Sequence, residues 1–323
     1  MRIGKLTNEQ LKSVVLSKLR PKRDVLLRSG VGEDCAALDF QGQACVLSTD
    51  PITGAEKNAG RLAVHVSCND VASSGAEPEA MLVTLLIPPG KTMAEVESVI
   101  DDLTATADML GVDIIGGHTE VTDAVNRIVL STTVIGRTAS NKLVKSGGAM
   151  PGDTLIMTGC AASEGTYIIA SERSGQLAHV LTEEELKEAT VLGGSLSVIS
   201  EGIIAGRLGA TAMHDVTEGG VFGAVHELCE ASGTGCDIRK QDIPILDVTK
   251  KICAHFGLDP YRLIGSGSML ITAKDPAVIM SVLDEKGISA AIIGTITVKD
   301  VCVIDSGKRE KLAPPEADEL FRL

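Results

Sequence analysis

Asp215-Val216-Thr217-Glu218-Gly219-Gly220 ends an apolar run on a carboxylate and then turns on two glycines into a stretch with helical spacing. Three shorter stretches share its character: Gly32-Glu33-Asp34, Ser48-Thr49-Asp50 and Cys68-Asn69-Asp70. Each sets a carboxylate at or near the end of an apolar run, where a strand or helix meets a loop. Oxygen donors gathered in this way suit a hard divalent cation, and Mg2+ usually leaves part of its octahedral shell to water and a substrate phosphate. A carboxylate cluster alone repels a polyphosphate, because like charges a few Å apart cost several kcal/mol, about 4 at an effective dielectric near 20. Metal ions standing between the two remove that repulsion, so the motifs predict Mg2+-nucleotide chemistry without a P-loop. Singly, Asp34, Asp50 and Asp70 are each explained as a loop cap or a solvated charge, and Glu218-Gly219-Gly220 as a tight turn. Their joint occurrence points to a site, at which glycines before a helix let the backbone approach a phosphate and the free N–H groups favour an anion.

Outward from these motifs the chain reads as mixed α/β. Strands are expected at residues 44–49, 79–87, 112–115 and 127–135, with helices at 61–74 and 92–110, the latter between Thr92 as N-cap and Gly111 as C-cap. Residues 145–153 form the densest Gly/Pro cluster and divide the chain into domains of 1–148 and 149–323. Beyond it, strands are expected at 153–158, 269–272, 290–295 and 301–304, and helices at 163–174, 182–189, 195–205, 220–231, 248–255 and 277–285. Their grouping predicts α+β layers rather than a doubly wound sheet.

A chain of 323 residues is comfortable for two cores. With no Trp, two Tyr and four Phe, those cores are built from aliphatic residues. A net charge of −13 argues against a nucleic-acid or membrane surface, both of which need a basic footprint. The first residues lack an apolar targeting segment, and the expected location is the cytosol. The eight cysteines include no C-x-x-C pair and sit mostly within apolar runs, as buried free thiols do.

The ordered set of motifs resembles the PurM-like superfamily, which includes aminoimidazole ribonucleotide (AIR) synthetase, thiamine-monophosphate kinase, selenophosphate synthetase and the hydrogenase-maturation protein HypE, with the HypE branch the nearest in pattern. The likeness runs through 30–38 (GVGEDCAAL), 48–52 (STDPI), 60–64 (GRLAV), 69–72 (NDVA), 75–78 (GAEP), 116–120 (GGHTE), 150–153 (MPGD) and 215–220 (DVTEGG). It implies an N-terminal domain that pairs with its twin as a β-barrel in a homodimer, and a C-terminal α+β domain over a nucleotide. It implies ATP and Mg2+, with Asp34, Asp50, Asp70 and Asp215 as metal ligands, Asn69 and Thr119 as nucleotide contacts, and Glu218, Gly219 and Gly220 beside the phosphates. The reaction implied is ATP-driven activation of an amide-like or acyl oxygen, with a small-molecule or protein-borne substrate and a maturation partner protein. A small-molecule kinase and a non-catalytic ATP-binding sensor are the alternatives.

Two departures from the family pattern bear on chemistry. Where the branch reads Gly-Gly-Asp-Thr, this chain reads Gly116-Gly117-His118-Thr119. Glu120 lies on the same face of an extended segment as His118 and is the candidate to replace the lost ligand, while His118 becomes a candidate phosphate contact or general base. A histidine hydrogen-bonded at a strand end explains position 118 equally. The last residues, 314–323, carry no cysteine, whereas HypE carries its substrate on a terminal thiol. Among the basic residues, Lys142 and Lys145 read as surface charges, and Lys5, Lys12, Lys18, Lys22 and Arg23 as a basic arm able to fold over a triphosphate.

Overall fold

The alternation of buried Ala44, Val46 and Ser48 with more open neighbours makes residues 43–52 a strand with one face to the core. That strand belongs to a computed structural model describing residues 7–19, 25–28, 30–53, 58–314 and 317–323. Lys5, Lys22 and Arg23 lie outside the described residues. The described residues open with the short helix α1 (Asn8–Gln10), followed by further helical turns to Lys18.

Five strands, β1 (Ala36–Phe40), β2 (Gln43–Ile52), β3 (Glu77–Ile87), β4 (Asp113–Val121) and β5 (Val129–Ala139), form one sheet in the order β1-β2-β5-β3-β4. Helices α2 (Ala59–Ser73) and α3 (Met93–Leu110) cover one face, burying Val64, Val71, Met81, Leu85, Leu103 and Val134 in an aliphatic core. Thr92 and Glu95 close a capping box at the start of α3, and Gly111 ends it in the left-handed conformation, as the sequence predicts. The sheet is open, with β1 and β4 as its edges, and the β-barrel expected of a dimer is not formed by one copy. β4 runs parallel to β3 and is exposed along almost its whole length.

The second sheet has seven strands in the order β12-β11-β8-β10-β6-β9-β7. They are β6 (Thr154–Thr158), β7 (Ala212–Asp215), β8 (Gly235–Arg239), β9 (Met269–Ala273), β10 (Ala290–Thr297), β11 (Val301–Asp305) and β12 (Lys308–Lys311). Around it lie α4 (Ser163–Glu172), α5 (Ser174–Leu177), α6 (Glu183–Val191), α7 (Ile199–Leu208), α8 (Gly220–Ser232), α9 (Asp247–Phe256) and α10 (Ala277–Glu285). Every strand and helix expected from the sequence is found, with end shifts of a few residues. β1, β7, β8 and β12 are additional to those expected: each is four or five residues long.

α7 crosses α2 at very close range. A Cβ on Gly202 would lie 2.1 Å from the Ala72 carbonyl oxygen, so only glycine permits this approach. The Asn69 side chain fastens the same contact, donating from Nδ2 to the Leu196 carbonyl at 2.7 Å and accepting from the Val198 N–H at 2.9 Å. Among the described residues, no single helix is long and apolar enough to cross a membrane.

Candidate functional site

Four of the predicted carboxylates meet where the two sheets approach each other. Asp50 stands near the end of β2, Asp70 in the last turns of α2, Asp215 at the end of β7, and Asp34 in the loop before β1. The Asp34 loop lies against α8 because Gly32 adopts φ +70°; a Cβ there would meet the Glu227 carbonyl oxygen at 2.5 Å. The Ser48 hydroxyl donates to Asp70 Oδ2 at 2.5 Å, with Asp50 Oδ2 at 3.3 Å from the same hydroxyl oxygen. Asp70 is buried, and its carboxyl is pushed well above the usual range by desolvation and then by the charges of Asp215, Asp50 and Asp34. These neighbours are all acidic, so like charge opposes ionisation of Asp70.

His214, next to Asp215 in β7, is not singled out by the sequence motifs. Its Nδ1 lies 2.7 Å from the Asp215 carbonyl oxygen, an acceptor, so Nδ1 carries the proton of that bond. Its Nε2 faces Asp34 at 3.6 Å and Glu227 at 3.5 Å. Burial opposes the charged ring, but Asp34, Glu227 and Asp215 outweigh it and raise its pKa to about 8. Ligand atoms of Asp34, His214 and Asp215 all lie within 4.8 Å of one another. Glu33 joins the edge of this group: burial lifts its pKa to about 7 even though Oε2 accepts the Ser146 N–H at 3.1 Å. The sequence signal for His214 is a His-Asp dipeptide closing a short apolar run. Glu227 carries none, being an ordinary helical glutamate in sequence.

The donor set fits a hard divalent cation. It consists mainly of carboxylate oxygens, and it includes a buried carboxyl whose ionised form is penalised by like charge, the penalty that a cation removes. Asp34, Asp50, Asp70 and Asp215 are the residues that would hold it.

The other predicted residues sit elsewhere. Asp50 pairs with Thr132, Thr132 with Val83 and Val83 with Gly117. His118, Thr119 and Glu120 on β4 are therefore three strand spacings, roughly 14 Å, from the carboxylates of the same copy. His118 and Glu120 do share a face, with Nε2 and Oε2 3.5 Å apart and side chains 67 % and 54 % exposed. Within one copy Glu120 does not replace a metal ligand and His118 does not reach the cluster. Asn69 has both amide atoms on the main chain of residues 196 and 198, which makes it a clamp between α2 and the segment before α7.

Gly219 and Gly220 do open α8, both at positive φ. The Gly219 N–H is already used, donating to Asp318 Oδ2 at 2.7 Å. Glu218, half-buried, faces a second acidic group with Glu164 and Asp318, whose pKa values rise to about 7 and about 6, chiefly through burial. Lys12 of the basic arm is engaged at 2.5 Å by Glu230, in the last turn of α8. Cys45 and Cys160 are half-buried, the other six cysteines are buried, and all eight are free thiols.

Residues 32–138 match the family model for the AIR synthase related protein N-terminal domain, and residues 150–305 match its C-terminal domain. A putative hydrogenase expression/formation protein of Methanocaldococcus jannaschii is 29 % identical over 314 residues, covering 93 % of this chain and 90 % of that protein. The carbamoyl dehydratase HypE of Escherichia coli is 26 % identical over 304 residues, covering 90 % of this chain and 88 % of that one. A crystal structure of E. coli HypE, a hydrogenase maturation protein, matches with a TM-score of 0.75 at 26 % identity, over 88 % of this chain and 92 % of that one. A structure of HypE in complex with ATP, 21 % identical, matches in fold with a TM-score of 0.71 over 98 % of this chain and 97 % of that one. Two sheets with these connections, the carboxylates at their seam and the matches to both the N- and C-terminal domain models together assign the chain: it belongs to the AIR synthase-related, PurM-like family, close to HypE.

Proposed function

We propose that this chain is a Mg2+-dependent, ATP-using enzyme of the HypE type that activates an amide-like or acyl oxygen by phosphorylation. The observation that supports this reading most directly is the meeting of Asp34, Asp50, Asp70 and Asp215, from four separate elements, with three acidic neighbours acting on the buried Asp70. Phosphoryl transfer asks a protein mainly for positioning and charge neutralisation. Asp34, Asp50, Asp70 and Asp215 would hold the cation, whose charge would neutralise the polyphosphate. His214 keeps Asp34 and Glu227 oriented from the second half of the chain. The substrate oxygen attacks the γ-phosphorus and ADP leaves; in a dehydration, the amide nitrogen gives up its two protons, one to solvent and one to the leaving group, and the C–O bond breaks to release inorganic phosphate as the C–N triple bond forms. Carbamoyl dehydration, the activity for which the E. coli relative is named, is of this kind.

The active form in this reading is a homodimer. Leu82, Ile115 and Val121 are exposed by 41 %, 59 % and 66 % on and beside the edge strand β4, an amount of open apolar surface that a second copy would cover. Pairing through β4 also offers a way for His118 and Glu120 to reach the carboxylates of the partner.

The test is calorimetry and product analysis with Mg2+ and ATP. Binding of a non-hydrolysable ATP analogue that requires Mg2+ and is lost in Asp34→Asn/Asp215→Asn is expected. Incubation with ATP and candidate amide substrates is expected to give ADP with free phosphate. ADP with a phosphorylated product would instead assign a kinase, and binding without turnover a sensor. Absence of Mg2+-dependent binding would sink the reading altogether.

A further inference from the structure

His214 presents a nitrogen that the fold leaves unused. The ring is buried at the end of β7, and Nδ1 donates to the Asp215 carbonyl oxygen at 2.7 Å. Nε2 is buried and makes no hydrogen bond. Its neighbours, Asp34 Oδ2 at 3.6 Å and Glu227 Oε2 at 3.5 Å, come from a loop and from α8 and stand beyond the usual N–H···O range. A carboxylate oxygen of Asp215 joins Asp34 and His214 in a set whose ligand atoms all lie within 4.8 Å of one another. A ring fixed through Nδ1–H on a main-chain carbonyl, with Nε2 turned to carboxylates, has the disposition of a ligating histidine, because the Nδ1 bond sets tautomer and orientation.

Spacing distinguishes an ion pair from a metal position. A buried imidazolium whose Nε2 meets no acceptor at hydrogen-bond distance is a poor ion pair, since desolvation is repaid only by good geometry and hydrogen bonds. Bonds of about 2.0–2.2 Å from a tetrahedral ion set its donors about 3.3–3.6 Å apart. Octahedral Mg2+, at about 2.0–2.1 Å, draws adjacent donors to about 2.9 Å. The observed 3.5 and 3.6 Å match the tetrahedral spacing. Imidazole nitrogen also suits Zn2+ and its neighbours among the transition metals, whereas Mg2+ takes oxygen. Cys35, beside Asp34, is not a donor: its Sγ donates to the Asp70 carbonyl at 3.2 Å, and burial holds the thiol protonated. The Asp34 side chain, 35 % exposed, leaves an entry for the ion.

We propose that Asp34, His214 and Asp215, with Glu227 alongside, form a site for a divalent transition metal of the Zn2+ class, which they prefer to Mg2+. This extends the metal-dependent reading above: Asp34 and Asp215 serve both ions, and Asp50 and Asp70 remain the oxygen-only end of the cluster. As the metal–nitrogen bond forms, the proton on Nε2 leaves to solvent, so a divalent charge replaces a single one among these carboxylates.

The experiment uses the full chain without nucleotide, with Co2+ as an optical substitute for Zn2+ and Mg2+ as competitor. The strong visible absorption of a tetrahedral ion is expected on adding Co2+, lost on adding Zn2+ and retained in about a hundredfold excess of Mg2+. His214→Gln, checked for folding by its melting curve, is expected to weaken Zn2+ binding at least about tenfold and Mg2+ binding much less. The faint absorption of an octahedral ion, displacement by Mg2+, a thiolate-to-cobalt charge-transfer band, or an unchanged Zn2+ affinity in His214→Gln each overturns the proposal. Should the variant fail to fold, the spectrum and the Mg2+ competition on the parent chain decide. Zn2+ uptake by a chain that binds no ATP analogue would remove the nucleotide reading and leave this site standing. Mg2+-dependent binding of the analogue without a nitrogen-ligated ion would do the reverse.

Discussion

His214 Nε2 lies 3.6 Å from Asp34 Oδ2, joining the last strand of the second sheet to the loop that leads into the first. The contact is ionic, because the Nδ1 proton is committed to the Asp215 carbonyl and Nε2 faces two carboxylates. A ring whose pKa rises from 6.5 to about 8 on folding stabilises the fold fully below pH 6.5, and the contribution is lost as the pH rises through about 8. The upper limit is about 2 kcal/mol, at 1.36 kcal/mol per pKa unit. Thermal melts of the metal-free chain and of His214→Gln are expected to converge near pH 9 and diverge near pH 6. Parallel curves would show that the ring is neutral when folded.

Glu164 predicts a second pH dependence of the same sign. Its carboxyl rises from 4.5 to about 7 through burial beside Asp318 and Glu218. A raised carboxyl pKa means that the folded state holds the proton more tightly. Stability is greatest below pH 4.5 with respect to this group and declines as the pH rises from there through 7. Glu164→Gln is expected to stabilise the chain at pH 8 by up to about 3 kcal/mol, and to change little at pH 4.5. Urea denaturation at the two pH values measures this; a variant destabilised at both would mean that the Ser266 N–H needs the charged acceptor.

Asn69, which the family resemblance places at the nucleotide, holds the two halves together. Asn69→Ala removes a donor and an acceptor and strands the buried Leu196 carbonyl and Val198 N–H. The expected loss is about 2–4 kcal/mol of unfolding free energy, from two unmet backbone groups. A nucleotide contact would instead show itself as weakened ATP-analogue binding with an unchanged melting temperature.

Ile115 stands on the open edge strand β4. Ile115→Lys puts a charge where the proposed partner copy packs, and sedimentation is expected to show a monomer where the parent chain is a dimer. Dimer formation unaffected by this change and by Val121→Lys would remove β4 from the interface.

The legible parts of this fold are those written in local patterns. The capping box at Thr92–Glu95, the left-handed Gly111, the β-branched run of β5 and the breaker cluster before β6 are all short-range signals. Asp34, Asp50, Asp70 and Asp215 are legible as a set because each lies at or near the end of an apolar run. β7 is not, since Ala212-Met213-His214-Asp215 has no β-branched residue and pairs only with β9. His214 is hidden with it. The separation of Glu120 from the cluster is equally hidden: the sequence shows that residues 118 and 120 share a face, but strand order decides which residues that face meets. Asp318 depends on a contact 99 residues away, to Gly219, and no local pattern announces such a pairing.

The absent Cβ at Gly202 has a thermodynamic side. With α7 seated directly on the α2 backbone and Asn69 spanning the same junction, neither sheet keeps its full set of neighbours if the other melts. Scanning calorimetry of the chain should therefore record one endotherm whose van't Hoff and calorimetric enthalpies agree, and Gly202→Ala should split it into two.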